Sequence, residues 1–375
     1  MHLVNITPRT DSRAFALSIA SSYSLTEILK EKWQTNVTTG SKQTIYDIAK
    51  KAGVSASTVG SALNGSWKSR RISETTVQRI QAIADEMNYS VNLQARALRS
   101  AKSGLVGMIL PQHDNRFFSS VGQCFSNETR SRHALPVIVS TRRERDQELE
   151  AVQGLINASV DALMLVGTSH PEILSEVCQK AKVPHVFLDQ PCSNAPSVVS
   201  ENKGGARKLT EVLLTENNPD YSEEVVFLGG NAKLPATAER VVGFKEALLE
   251  HGHEPTNYRI LACGYQRSAA REALATLYKE RQKLPSVMLI NSIGCFEGAL
   301  QFLSQLSNSE VDACAIGAFD FDPFGGLLRH PVPMMRQRAE MMVKRAYQHL
   351  DDKDSAPQIT YIEPELILPN HLHAS

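Results

Sequence analysis

A chain of 375 residues is long enough for two or three domains, and with 42% hydrophobic residues it can bury sizeable cores. Basic and acidic residues balance at 40 each, so the net charge of zero, taken globally, argues against a nucleic-acid-binding protein. No apolar run approaches the roughly 18 residues that a membrane-spanning helix needs.

The charge is distributed unevenly along the chain. Residues 41–103 carry ten Lys or Arg residues against four acidic residues, a net charge of about +6. Residues 1–40 contribute about +1, so the remainder carries about −7. A basic segment attached to an acidic body is typical of a DNA-binding protein with a separate regulatory domain.

The first 40 residues contain little that predicts structure. The apolar run Ala14–Ala20 is too brief for a convincing signal peptide, and Ser24–Glu27 fits a helix-capping box. We expect a mobile N-terminal extension over residues 1–40, or an upstream start assigned to the gene, rather than a functional arm.

The segment that follows predicts two short helices. Gly53 ends the first helix, Ser55 caps the second, and Val59 and Leu63 lie on the buried side of the second. Such a pair joined by a short glycine-containing turn indicates a helix-turn-helix, whose second helix reads the DNA major groove, rather than an ordinary helical hairpin. The apolar face of the first helix is formed by Ile45, Ile48, Ala49 and Ala52.

A third helix is predicted from Ser73 to about Tyr89, followed by a short helix-forming segment with two arginines, Val91–Arg99. The apolar stripe of the third helix consists of Val77, Ile80, Ile83, Ala84 and Met87.

From Thr44 to about Pro369 the chain resembles the lactose-repressor family of bacterial transcription regulators. The turn from Asn64 to Ser73 looks most like that of the catabolite repressor–activator (fructose repressor) subgroup. The motif residues that carry the family resemblance are Ile45, Tyr46, Asp47, Ile48, Ala49, Ala52, Gly53, Val54, Ser55, Thr58, Val59, Leu63, Asn64, Gly65, Ile72, Ser73, Thr76, Val77, Asn88, Tyr89, Asn92 and Leu98.

The resemblance implies a domain organisation. We expect a helix-turn-helix headpiece of three helices over residues 41–90 and a hinge helix over 91–103. An effector-binding and dimerisation body would occupy residues 104–375. Its N-lobe would comprise about 104–200 and 336–362, and its C-lobe about 201–335 with the C-terminal tail.

The resemblance also implies DNA contacts. Leu98 matches the wedge that hinge helices insert into the minor groove, beside Asn92 and Ala95, although Leu98 could instead be a packed linker residue. Val91 stands where the family usually has proline. Two hinge helices require a homodimer, with a tetramer as the alternative, on a pseudo-palindromic operator. Phosphate contacts are expected from Thr44, Tyr46, Ser55, Thr58 and Asn64, and base contacts from the small residues Ala56, Ser57 and Ser61, which provide only modest direct readout.

From Gly104 onward, apolar runs alternate with helical stretches, which predicts parallel sheets. We expect an α/β fold with a two-lobed body, like a periplasmic sugar-binding protein, of doubly wound parallel sheets. The predicted helices include 146–158, 171–181, 203–214, 238–251 and 268–281. The predicted strands are 105–110, 136–139, 162–166, 186–188, 198–199, 225–228, 287–290 and 313–316.

Ligands of such sheets bind beyond the carboxyl ends of strands. Together with the resemblance, this rule selects Phe117, Thr168, Asp189, Arg240, Asn291, Asp320 and Gln337 as effector-binding candidates. Arg240 matches the family's effector-clamping arginine. Ser292 and Phe321 replace acidic residues that many members have, which suits a sugar phosphate effector, although a neutral sugar remains an alternative.

The six cysteines are expected to be reduced, in a cytoplasmic protein, and no C-x-x-C pair indicates a metal. We find no nucleophile–base set or phosphate loop, and we expect neither an enzyme nor a cofactor. The alternatives to an effector-released repressor are a co-repressor-dependent regulator, an activator or a solute-binding protein.

Overall fold

The computed structural model describes residues 43–63, 65–87, 89, 102–217, 224–253, 258–330, 332–352 and 356–369. The chain divides into two compact units near residue 91, and each is described by itself below. The predictions for residues 1–40 lie outside the described residues. Among the helices described, none is long and apolar enough to cross a membrane.

The first unit contains three helices, α1 (Ile45–Ala52), α2 (Ala56–Leu63) and α3 (Glu74–Glu86). Gly53 has a left-handed φ of 66° and its N–H bonds to the carbonyl of Ala49, which ends α1 as the sequence predicts. Ser73 caps α3 through the N–H of Thr76, but α3 ends three residues before the expected Tyr89.

The core of this unit joins all three helices. Ile48 of α1, Val59 of α2 and Ile80 of α3 are completely buried. Full burial of such a side chain contributes about 1.5–3 kcal/mol, so a few residues supply much of the stability of so small a unit.

The second unit contains two six-stranded sheets. The first sheet has the order β11-β5-β4-β3-β1-β2, and its strands are parallel. Its strands are β1 (Leu105–Leu110), β2 (Leu135–Ser140), β3 (Ala162–Val166), β4 (His185–Leu188), β5 (Ser197–Ser200) and β11 (Ile359–Ile362).

The second sheet has the order β12-β10-β9-β8-β6-β7, and it is parallel except for β12, which runs antiparallel to β10. Its strands are β6 (Val225–Leu228), β7 (Tyr258–Leu261), β8 (Val287–Ile290), β9 (Ala315–Phe319), β10 (Met334–Arg336) and β12 (Glu365–Ile367).

Helices pack on these sheets and close four hydrophobic cores. A 3₁₀ helix, Pro323–Leu327, follows β9. The α-helices are α4 (Arg116–Ser131), α5 (Arg145–Asn157), α6 (Pro171–Lys180), α7 (Asn202–Asn217), α8 (Pro235–Glu250), α9 (Arg267–Arg281), α10 (Ile293–Leu303), α11 (Asn308–Asp312) and α12 (Ala339–Asp351).

The α/β class and the parallel, doubly wound sheets are confirmed. The strand expected at 313–316 lies at Ala315–Phe319, because its apolar run continues into Phe319. Strands β7, β10, β11 and β12 were not predicted, because each has only three or four residues. Strands β7, β10 and β12 contain a charged residue, and β11 alternates in burial.

The chain crosses between the sheets three times, after β5, after β10 and between β11 and β12. The carboxyl ends of the strands therefore bring loops of both sheets to one cleft. The exact residue limits expected for the two lobes remain a prediction.

Candidate functional site

The N-terminus of α2 carries a cluster of hydroxyl groups. The Oγ atom of Ser55 accepts a hydrogen bond from the N–H of Thr58 at 3.1 Å and lies 2.7 Å from Oγ of Ser57 and 2.8 Å from Oγ1 of Thr58. Ser55 and Ser57 are exposed. A helix N-terminus with small hydroxyl side chains is suited to a DNA phosphate, because its N–H groups and dipole attract anions.

Two further phosphate candidates lie at the start of α1. Tyr46 is 66% exposed, so its hydroxyl is accessible to DNA. Thr44 donates from both its N–H and its hydroxyl to the carboxylate of Asp47, at 2.8 and 2.7 Å, and these bonds lower the pKa of Asp47. The donors of Thr44 therefore already stabilise the start of the helix, and a phosphate contact would have to share them.

One of the base-contact candidates is not on an exposed face. Ser61 retains only 7% of its exposure, because the last turn of α2 is enclosed and Val59 and Ala62 beside it are buried too. The base contact expected from Ser61 remains a prediction, and its side chain is buried in the conformation described here. Ala56 is half-buried against the headpiece core. The candidates Asn64, Asn92, Ala95 and Leu98 lie outside the described residues.

Basic side chains surround the helix-turn-helix. Lys50 and Lys51 lie in the last turn of α1, and Lys51 pairs with Glu86 of α3 at 2.7 Å. The ammonium of Lys68 lies 5.3 Å from the ring centre of Trp67, within cation–π range. These cations fit the positive net charge that the sequence predicts for the headpiece.

A cavity of about 170 Å³ opens between the two sheets. It is far larger than the roughly 10–15 Å³ that one water molecule needs, so it is large enough for a small organic ligand. The residues that line it are Pro111, Gln112, Asn115, Phe117, Phe118, Arg142, Arg143, Asp189, Ala236, Arg240, Tyr265, Gln266, Ser292, Asp320 and Gln337.

Two of the predicted aspartates occupy equivalent places in the two sheets. Asp189 directly follows β4 and Asp320 directly follows β9, with left-handed φ angles of 71° and 75°. Residues other than glycine rarely adopt this conformation, which costs about 1–3 kcal/mol and concentrates at functional sites. Burial raises the pKa of Asp189, although Arg143 and Arg240 oppose the shift.

Arg240 is almost completely buried and bonded on two sides. Its Nε donates to Oδ1 of Asn202 at 2.8 Å, and its Nη1 donates to the carbonyl of Asn291 at 2.7 Å. Its guanidinium carbon lies 3.6 Å from the ring centre of Phe319. These contacts hold the guanidinium at the cavity wall in one orientation.

Gln337 links the crossing segments to the second sheet. Its Nε2 donates to Oδ1 of Asp320 at 2.6 Å, and its Oε1 accepts from the hydroxyl of Ser200 at 2.5 Å. Because Ser200 ends β5 and Gln337 follows β10, this network lies where the chain passes between the sheets. A ligand bound to Asp320 or Gln337 would therefore contact the segments through which the chain passes between the sheets.

Thr168 and Asn291, two other effector candidates, are buried beside the cavity but do not line it. Oγ1 of Thr168 and Oδ1 of Asn291 have no hydrogen-bond partner among the described residues. Buried polar atoms without a partner are uncommon, and a bound ligand or water often supplies the missing partner.

Several lining residues were not predicted. Arg142 and Arg143 follow β2, the one early strand whose carboxyl end the sequence analysis did not examine, so the same rule would have found them. Tyr265 and Gln266 follow β7, a strand that the sequence did not predict.

Two ion pairs cross the cleft beside the cavity. Nε of Arg116, in α4, lies 2.6 Å from Oδ2 of Asp322, which follows β9. Arg116 therefore belongs to the half of the body built on the first sheet, and Asp322 to the half built on the second sheet. In the second pair the arginine comes from the second sheet's side and the aspartate from the first: Nη2 of Arg267, in α9, lies 3.5 Å from Oδ2 of Asp114, which follows β1. The pairs hold the two halves of the body together in the conformation described here.

The cysteines are all free thiols. Burial raises the pKa of Cys178 and Cys314 to about 12 and that of Cys295 to about 11, so these thiols stay protonated. The described residues contain no group of three or more metal-ligating side chains.

A helix-turn-helix unit attached to a two-sheet ligand-binding body defines a DNA-binding regulator that carries its own sensor. Comparison with family models agrees: residues 44–92 match bacterial regulatory proteins of the lacI family, and residues 106–325 match a periplasmic binding protein domain.

Curated relatives agree as well. The ribitol operon repressor of Klebsiella aerogenes is 44% identical over 191 residues, covering 50% of this chain and 71% of the relative. The catabolite repressor/activator of Escherichia coli (strain K12) is 26% identical over 331 residues, covering 85% of this chain and 96% of the relative. The Lac repressor bound to ONPG has the same fold, with a TM-score of 0.72 at 18% identity, covering 88% of this chain and 99% of that structure.

The chain belongs to the lacI family of bacterial regulatory proteins. It is therefore a DNA-binding transcription regulator, and its relatives are regulators rather than enzymes.

Proposed function

We propose that this protein is a cytoplasmic, non-enzymatic repressor of carbon-metabolism genes that binds a pseudo-palindromic operator as a homodimer. The observation that carries the proposal is the hydroxyl cluster of Ser55, Ser57 and Thr58 at the exposed N-terminus of α2. Ser55, Thr58 and Tyr46 bind backbone phosphates, and Ser57 with Ala56 faces the bases.

The operator affinity is controlled by a small polyhydroxylated effector, a sugar, a polyol or a sugar phosphate, bound in the cavity. Aromatic Phe117 packs against its carbon skeleton, and Asp189, Arg240, Asp320 and Gln337 bind its oxygens. Support comes from the polar side chains that line the cavity. Further support comes from the names of two relatives, a ribitol operon repressor and a catabolite repressor/activator.

Effector binding and operator binding are coupled through the segments that cross between the sheets. An effector that holds Asp320 and Gln337 fixes the relative position of the lobes, and operator affinity falls. Because such coupling is reciprocal, operator DNA lowers effector affinity by the same factor.

A mobility-shift experiment on DNA upstream of this gene and its neighbours tests the proposal. We expect a shifted band with the purified protein, and release of the DNA by ribitol, fructose 1-phosphate or a related compound. Absence of a shift on every such fragment would contradict the regulatory role. A shift that is strengthened by the effector would replace repression relieved by effector with co-repression.

Ser57→Ala offers a control within the reading helix. This change removes one exposed hydroxyl without touching the core, so it should alter operator preference while leaving effector binding unchanged. Equal operator binding by Ser57→Ala and the wild-type protein would remove Ser57 from the base-reading set.

A further inference from the structure

The loop between β2 and α5 presents two adjacent arginines to the cavity. Arg142 and Arg143 both have left-handed backbone conformations, with φ of 52° and 61°. Two consecutive residues of this kind are rare without glycine, so contacts elsewhere must hold them. The N–H of Arg142 donates to the carbonyl of Pro111 at 2.7 Å, and the hydroxyl of Ser169 donates to the carbonyl of Arg143 at 3.0 Å.

The support behind this loop is itself buried. The carboxylate of Glu148, 1% exposed, accepts hydrogen bonds from the N–H and hydroxyl of Ser169 at 3.0 and 3.1 Å. Ser169 in turn holds the carbonyl of Arg143. The strained loop is therefore fixed in place by the buried carboxylate of Glu148 acting through Ser169.

The guanidinium of Arg143 is held in position but keeps N–H donors available for a ligand. Its Nε donates to the carbonyl of Gly167 at 2.9 Å. Its Nη2 lies 3.6 Å from Oδ2 of Asp189, an ion pair that is longer than a hydrogen bond. Its central carbon lies 5.5 Å from the ring centre of Phe118 and 5.0 Å from that of Tyr265, which belongs to the second sheet's half.

Arg142 is less constrained still. Its side chain is exposed, lines the cavity, and makes no hydrogen bond or ion pair with the described part of the chain. Arg240, by contrast, already donates to Asn202 and to the carbonyl of Asn291. The cavity thus holds three guanidinium groups against the carboxylates of Asp189 and Asp320, and each retains N–H donors for a ligand, with most of them on Arg142 and Arg143.

We propose that the effector carries an anionic group, phosphate or carboxylate, and that Arg142 and Arg143 bind it. This inference rests on the proposed function, since it specifies the chemical class of the effector in the same cavity. Guanidinium groups match the planar geometry of carboxylate and phosphate oxygens, and a partly enclosed cavity strengthens such bonds.

Calorimetric titration of the full chain with matched ligand pairs tests the proposal. The pairs are ribitol with ribitol 5-phosphate and fructose with fructose 1-phosphate, and ribonate supplies a carboxylate. We expect the charged member of at least one set to bind more tightly than its neutral counterpart by about tenfold or more. Neutral compounds that bind as tightly as the charged ones would overturn the proposal.

Three variants test whether the cavity arginine Arg142, rather than any positive charge nearby, gives the preference for charged ligands. Arg142→Gln should remove the preference for the charged ligand, and Arg142→Lys should retain most of it. Arg145→Gln removes the same charge from an exposed residue that does not line the cavity, so it should behave like the wild-type protein. Equal losses in Arg142→Gln and Arg145→Gln, or equal losses for charged and neutral ligands, would contradict the proposal.

Inorganic phosphate provides a test that needs no knowledge of the effector's carbon skeleton. At constant ionic strength, phosphate should raise the thermal midpoint of the wild-type protein more than chloride does, and Arg142→Gln should lose this difference. No phosphate-specific stabilisation, together with no preference among the ligand pairs, would overturn the inference. Operator binding without ligand is measured in parallel for the wild-type protein and for Arg145→Gln, which does not line the cavity, so a failure of DNA binding there concerns the proposed function alone.

Discussion

The DNA-reading surface and the effector cavity are assembled in opposite ways. Ser55, Ser57 and Thr58 belong to one exposed helix end, so folding of a single local segment brings their hydroxyls together. The cavity instead depends on pairs such as Ser200 and Gln337, which are 137 residues apart in the chain. The reading surface therefore depends on the headpiece core alone, whereas the cavity depends on both sheets and on the segments that cross between them.

The largest effect that separates the two regions is expected from Ile48→Ala. Ile48 is completely buried in the small headpiece core, and removing a large aliphatic side chain from such a site costs about 2–5 kcal/mol. We expect operator binding to be lost in a mobility shift. Effector binding, measured by calorimetry, should remain at the wild-type level.

Ile109→Ala is the matched change in the body, since Ile109 is also an isoleucine with no exposed surface. It should lower the thermal midpoint for loss of effector binding while leaving the headpiece helices folded. If Ile48→Ala abolished effector binding as well, the two regions would not be independent in the way that their separate cores indicate.

This contrast also explains what the sequence could predict. The headpiece follows from spacing within about 45 residues, because Gly53, Ser55 and Ser73 act on their own helices. Ser61 was expected on the exposed face of α2 but is buried, as are Val59 and Ala62 in the same helix, and helical spacing alone did not predict this burial.

In the body, the buried strands and their carboxyl ends were predictable, and Phe117, Asp189, Arg240, Asp320 and Gln337 do line one cavity. The partners were not predictable. The bond from Arg240 to Asn202 and the stacking of Arg143 near Tyr265 depend on strand order and lobe closure, which no local pattern encodes.

A second prediction concerns Arg240→Lys, which keeps the charge but loses the planar group. The carbonyl of Asn291 and Oδ1 of Asn202 would lose their donors, and each unsatisfied buried acceptor costs about 1–3 kcal/mol. We expect a lower thermal midpoint of the body and effector affinity reduced by about tenfold or more, measured by calorimetry, with operator binding retained.

Arg207→Lys serves as its control, because Arg207 is an exposed arginine that pairs with Glu250 on the surface. Unchanged effector affinity in this variant and in Arg240→Lys alike would remove Arg240 from the effector site.

A third prediction tests the buried charge at the cavity. Burial raises the pKa of Asp189 above the ordinary value for aspartate, so ionisation of this carboxyl destabilises the folded protein. The cost is absent at pH values below the ordinary pKa of about 3.9 and is present in full above the raised value. The thermal midpoint of Asp189→Asn relative to wild type should therefore increase, by a few degrees, as the pH rises through this window.

The measurement is a series of thermal melts of both proteins without ligand from acid to neutral pH. Ser57→Asn, at an exposed headpiece position, should show no such pH-dependent difference. A midpoint difference that stays constant or falls with rising pH would mean that the ion pair with Arg143 outweighs burial at Asp189.

The smallest effect is expected from the ion pairs that cross the cleft. Arg116→Gln removes the pair with Asp322, whose Oδ1 still accepts from the N–H of Phe324, so the local turn is preserved. A partly exposed pair contributes at most about 1 kcal/mol, or roughly fivefold in an equilibrium constant, and salt screens it. The variant should weaken effector binding by no more than this factor, mainly by faster dissociation, and the difference should shrink at high salt. Arg259→Gln, which removes similarly exposed pairs within the second sheet's half, should leave effector dissociation unchanged at every salt concentration, because those pairs do not join the two halves.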